Sequence, residues 1–126
     1  MFARCLMLVP LLVGSACAAT PAREDTAPTL RLWPTTPQVA PRITERSDDP
    51  ALPDRIIEGV RDPHLVVYSP KRPNGIALLV TPGGGYARIV LDKEGTALVP
   101  QFVDATGFTL FVLRYRLPDA VHDEGA

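Results

Sequence analysis

An α/β architecture, a mostly parallel sheet with one crossover helix, is what this chain of 126 residues predicts. Three observations predict it. The run Ile76-Ala77-Leu78-Leu79-Val80 is continuously apolar, the pattern of a strand covered on both faces in a parallel sheet. Phe108-Thr109-Leu110-Phe111-Val112-Leu113 has the same character. Between them lie three consecutive glycines, Gly83-Gly84-Gly85, and a segment able to form a helix, so strand, loop, helix and strand make one βαβ unit.

The length allows one modest domain. The formal net charge of -1 and the lack of a basic run give no electrostatic case for nucleic acid. Residues 1–18 read as a targeting segment: a positive start through Arg4, an apolar core over Cys5–Val13, and Ala16-Cys17-Ala18 as a small-residue cleavage site. That core is too short to anchor stably across a bilayer. The expectation is export to the periplasm or beyond, with lipoprotein processing at Cys17 the less favoured alternative. Both cysteines, Cys5 and Cys17, lie inside this segment, so the processed chain is expected to form no disulfide.

Residues 19–53 form a proline-rich lead-in without helical or strand periodicity, expected to be extended and weakly structured. The single tryptophan, Trp33, suits a clasp packed on the domain surface; sugar stacking or a partner contact is the functional alternative. Ser47-Asp48-Asp49-Pro50 is a turn signal. Regular structure is expected over residues 54–126. Ile56–Val60 and Leu65–Tyr68 read as two strands joined tightly through Arg61-Asp62-Pro63-His64. In the helix, Asp92 suits the N-cap, Glu94 the first-turn dipole, and Gly107 the C-terminus. Pro100 conflicts with a regular helix unless it starts late, near Thr96, or is kinked.

The unit places Pro82-Gly83-Gly84-Gly85-Tyr86 at the carboxyl end of a strand, where open α/β sheets hold their ligands. The loop lacks the lysine and Ser/Thr of a phosphate-binding P-loop and the spacing of a dinucleotide fingerprint. It is closer to an oxyanion loop, whose backbone N–H groups stabilise the negative oxygen formed when an ester carbonyl is attacked.

Together with Leu32-Trp33-Pro34, Leu65–Pro70, Asp92-Lys93-Glu94-Gly95 and Leu113–Pro118, this loop resembles the first part of the secreted α/β-hydrolase esterases related to acetylxylan esterases. The likeness covers most of residues 32–118. It implies an incomplete α/β-hydrolase fold, an oxyanion hole at Gly84 and Gly85, and Tyr86 beside the acyl pocket. It also implies a small ester or acetylated carbohydrate as substrate of the full-length relative. Pro82 stands where many relatives carry histidine. The implied strand order is first, second, fourth, third, with Ile76–Val80 exposing an edge prone to aggregation.

The chemistry requires a nucleophile, and the serines are Ser15, Ser47 and Ser69, none within G-x-S-x-G. In that family the nucleophile, acid and histidine follow the strand that ends here near Leu113. The chain is therefore expected to carry no catalytic residue and to be inactive alone. Nothing in the spacing of Ser69, Asp92 and His122 favours a substitute triad, and His64 and His122 show no metal-ligand spacing. No cofactor is expected. Arg114 and Arg116 fit a structural ion pair more readily than a grip on a substrate carboxylate. The alternatives are a non-catalytic exported envelope or interaction protein that binds a partner through Trp33 and the sheet edge, and a truncated gene product.

Overall fold

The computed structural model describes residues 26–34 and 40–118. The targeting segment, both cysteines, Ser15 and His122 lie outside the described residues. Among the described residues seven strands form: β1 (Thr29–Arg31), β2 (Arg42–Glu45), β3 (Arg55–Glu58), β4 (His64–Tyr68), β5 (Ala77–Val80), β6 (Ile89–Val90) and β7 (Thr109–Arg114). They divide between a four-stranded sheet ordered β1-β4-β7-β5 and a three-stranded sheet ordered β2-β3-β6.

This corrects the expected fold class. Among the described residues the chain is mostly β, in one mixed and one antiparallel sheet with a single short helical segment after β6; it is neither a mostly parallel α/β sheet nor the opening of an α/β-hydrolase fold. One parallel pair is present, β5 on β7, in register from Ala77 opposite Thr109 to Val80 opposite Val112. The β1–β4 and β4–β7 pairs are antiparallel, as is the whole second sheet. The two strands expected to be joined tightly, β3 and β4, lie in different sheets. β3 takes β2 and β6 as its neighbours, and the place beside β4 goes to β1 from the proline-rich lead-in.

The helix differs as well. A 3-10 turn over Thr96–Leu98 passes through Val99 into a π-turn over Pro100–Asp104. Pro100 has no N–H to return to Thr96, so the regular ladder breaks there and resumes with the wider bond from Ala105 N–H to Pro100 O, 3.1 Å. Gly107, at φ 78, ends the segment as expected, and its N–H reaches Val103 O at 3.1 Å. Asp92 is not the N-cap. Gly95 occupies that position, with no side-chain bond to the helix.

The continuous apolar runs suggested burial on both faces, but among the described residues only one face of the four-stranded sheet carries a buried core. Val66, Tyr68, Leu110 and Val112 meet Val99 and Val103 of the helical segment in one core, with Leu78 and Val80 against it. Side chains alternate across a strand, so the other face carries Leu79, which is 59% exposed, and the half-buried Phe111 and Leu113. β5 is also an outer strand of its sheet, as its edge position in the sequence reading required. A second core gathers Ile57, Val60, Ile89, Leu91 and Leu117 beneath the other sheet.

One ion pair joins the second sheet to the chain entering the helix. The Asp92 carboxylate, 2% exposed, accepts from Arg55 N (2.7 Å), Nε (2.9 Å) and Nη2 (2.7 Å) and from Thr96 Oγ1 (2.8 Å). Burial by itself would raise this carboxyl; the Arg55 and Thr96 bonds outweigh it and hold it below its ordinary value. In the first core, burial raises the Tyr68 hydroxyl to about 12. That hydroxyl has no hydrogen-bond partner among the described residues.

Candidate functional site

The glycine loop leaves β5 at the end where β7 runs out through Leu113 to Arg116, because the two strands are parallel. Gly84 (φ 144), Gly85 (φ 64) and Tyr86 (φ 60) take positive φ in succession, which folds the loop back on itself. At Gly84 the requirement is absolute: a Cβ would lie 2.0 Å from Arg88 O. Tyr86 adopts this conformation with a side chain, the kind of local strain that surrounding contacts must sustain. Its ring meets Tyr115 edge-on, with centroids 6.0 Å apart.

The loop is tied down through its carbonyls and its first amide. Gly83 O accepts Val90 N–H at 3.0 Å and Gly84 O accepts Arg88 N–H at 3.3 Å. Gly83 N–H donates to Glu94 Oε2 at 2.6 Å. Glu94 therefore holds the loop instead of serving the helix start, a role that only the approach of residues 11 positions apart creates. The N–H groups of Gly84 and Gly85 have no acceptor among the described residues. Tyr86, Gly83–Gly85, Thr81, Pro82, Leu113, Tyr115 and Arg116 enclose a cleft of about 500 Å³.

A second cleft of about 400 Å³ is lined by Leu32, Trp33 and Pro63 and shares Leu113, Tyr115 and Arg116 with the first. Tyr115, which lines both clefts, was not among the residues expected at the site; its place in an alternating strand end, Leu113-Arg114-Tyr115-Arg116, was the one signal for it. Burial raises the Tyr115 hydroxyl, with Tyr86 and Glu94 adding to the shift. Arg114 and Arg116 have separate fates. Arg114 is 1% exposed, and burial lowers it to about 10, while Arg116 is exposed on the clefts.

None of the other candidate groups joins these clefts. Ser69 follows β4, whose end lies beside the start of β7, at the far end of the sheet from the glycine loop. Ser47 sits in its turn, bonded to Asp49 through Oγ. Asp92 is saturated by Arg55 and Thr96. His64 is at the loop's end of the sheet, but it pairs with Arg114 on the face opposite Leu113, and its Nδ1 is 2.7 Å from Asp62 O. Among the described residues no group of His, Cys, Asp and Glu could hold a metal ion, and no helix is long and apolar enough to cross a membrane.

Family models, curated proteins and solved structures were all compared with the chain. None matches it. The clefts must therefore be read from their own chemistry: two open amides on a rigid turn, two tyrosines, one tryptophan and one guanidinium.

Proposed function

We propose that Pro82–Tyr86 is the oxyanion-binding half of a serine carboxylesterase-type site acting on acylated carbohydrate or other small esters. One observation carries the reading. The Gly83 and Gly84 carbonyls and the Gly83 amide are engaged by the protein, while the adjacent Gly84 and Gly85 amides have no acceptor among the described residues and border a cleft. Donors fixed in advance around developing negative charge lower a barrier without reorganising during reaction. Tyr86 then walls the acyl side. The likeness of the surrounding motifs to secreted esterases supports the same assignment and an exported location.

The described serines lie away from the loop, so this chain is expected to give no ester turnover by itself. A hydrolysis assay with p-nitrophenyl acetate checks this; turnover that disappears in Gly84→Ala would refute it. The amide claim is tested by titrating ¹⁵N-labelled protein with methylphosphonate, a tetrahedral anion. The Gly84 and Gly85 resonances are expected to move while Gly83, held by Glu94, stays. A uniform response, or none at the loop, overturns the proposal.

A second reading, an exported interaction protein, is favoured by the β5 edge and exposed Leu79, which leave strand-pairing groups and apolar surface open together. It predicts a folded product that binds a protein partner without ester chemistry.

A further inference from the structure

We infer that the cleft between Trp33 and Arg116 binds a pyranose ring bearing a carboxylate, the acidic-sugar portion of a substrate whose ester lies in the neighbouring glycine-loop cleft. The role of the ring site rests on the ester-site reading; its existence is tested without any ester.

The two clefts share a wall of Leu113, Tyr115 and Arg116, so a ligand can extend from one into the other. A volume of about 400 Å³ accommodates a small ring, and it is apolar on several sides through Leu32, Pro63 and Leu113. Trp33 is 52% exposed at this cleft instead of being packed away, and its segment is anchored where Leu32 N–H donates to Pro63 O at 3.2 Å. An indole held open in this way offers a flat apolar surface to the C–H face of a sugar, with its N–H left for a hydroxyl.

The carboxylate follows from charge. Arg116 is the one charged residue among those lining either cleft, and it has no ion-pair partner among the described residues. Asp62, beside Pro63, pairs with Arg31; Glu94 keeps its charge where it accepts the Gly83 amide, on the glycine-loop side and outside the lining of the Trp33 cleft. A planar guanidinium beside an aromatic ring suits bidentate capture of a carboxylate on a stacked ligand.

Trp33 is the chain's one tryptophan, so tryptophan emission, excited beyond the tyrosine absorption, reports from this cleft alone. The full chain is titrated with D-glucuronate, with D-glucose, which has the same ring without the carboxylate, and with acetate, which has the charge without the ring. Glucuronate is expected to shift the emission saturably and to bind about tenfold more tightly than either control, the scale of one charge-assisted contact. Arg116→Gln should bring glucuronate down to the glucose level, and Arg116→Lys should keep part of the preference. No saturable response to glucuronate, equal responses to glucuronate and glucose, acetate matching glucuronate, or an unchanged preference in Arg116→Gln would each overturn the inference. Methylphosphonate shifts at Gly84 and Gly85 are read on the same protein, which separates a failed ring site from a failed oxyanion loop.

Discussion

Replacing Asp92 by asparagine tests the contact that ties the second sheet to the chain entering the helical segment. The substitution keeps the size and removes the charge. Oδ2 accepts Arg55 N–H and Nε–H, and Oδ1 accepts Arg55 Nη2 and the Thr96 hydroxyl. An asparagine amide must put its NH₂ toward one of those pairs, so an Arg55 donor meets a donor in either orientation. Breaking a buried pair from one side costs ~3–5 kcal/mol. The Arg55 side chain is 25% exposed, so part of its charge is recovered by water and the low end, about 3 kcal/mol, applies. For a domain of this size that corresponds to a fall of roughly 12–24 °C in Tm. Urea denaturation followed by far-ultraviolet circular dichroism measures it. The pH dependence supplies a second readout. The folded carboxyl lies below its ordinary value of 3.8, so its contribution is fully present at neutral pH and is lost as pH falls through 3.8 and then through the folded value. Asp92→Asn should flatten that acid limb. A loss under about 1 kcal/mol with an unchanged limb would show that the pair contributes no more than an exposed salt bridge.

Three further outcomes follow from the packing. Gly84→Ala, whose Cβ meets Arg88 O, should cost about 3 kcal/mol, whereas Gly85→Ala, at φ 64 with nothing within 4 Å, should cost only about 1 kcal/mol; equal losses in urea melts would refute the loop geometry. Leu79→Lys should change stability by less than about 0.5 kcal/mol and suppress heat-induced light scattering, while Leu110→Ala on the packed face should cost about 3 kcal/mol; similar costs would mean that both faces are covered. Tyr68→Phe removes a buried hydroxyl without a partner and should stabilise by up to about 1 kcal/mol, and destabilisation by that much would reveal an acceptor for it.

Local chemistry was legible where it depends on a few adjacent residues. The glycine loop, the Gly107 stop, the disturbance at Pro100 and the approximate positions of β4, β5 and β7 are consequences of backbone freedom, a missing N–H and apolar runs. The sheet class was not legible. A continuous apolar run has no feature that distinguishes a strand covered twice from one packed on a single face, and Leu79 of β5 proved to lie outside.

The candidate site divides in the same way. The turn at Gly83–Gly85 could be placed from sequence, since three glycines after an apolar run imply unusual backbone whatever surrounds it, whereas the roles of Gly84, Gly85 and Tyr86 came only from the likeness to esterases. Tyr115, the open face of Trp33 and the hold of Glu94 on Gly83 could not, because each depends on segments far apart in the chain arriving at one end of a sheet. Sequence by itself determined where the backbone must turn and which segments are extended. Only the tertiary structure decided which strands became neighbours, which face was buried and which amides stayed open, because pairing and burial are chosen by competition among distant segments for the same edges and the same apolar surface.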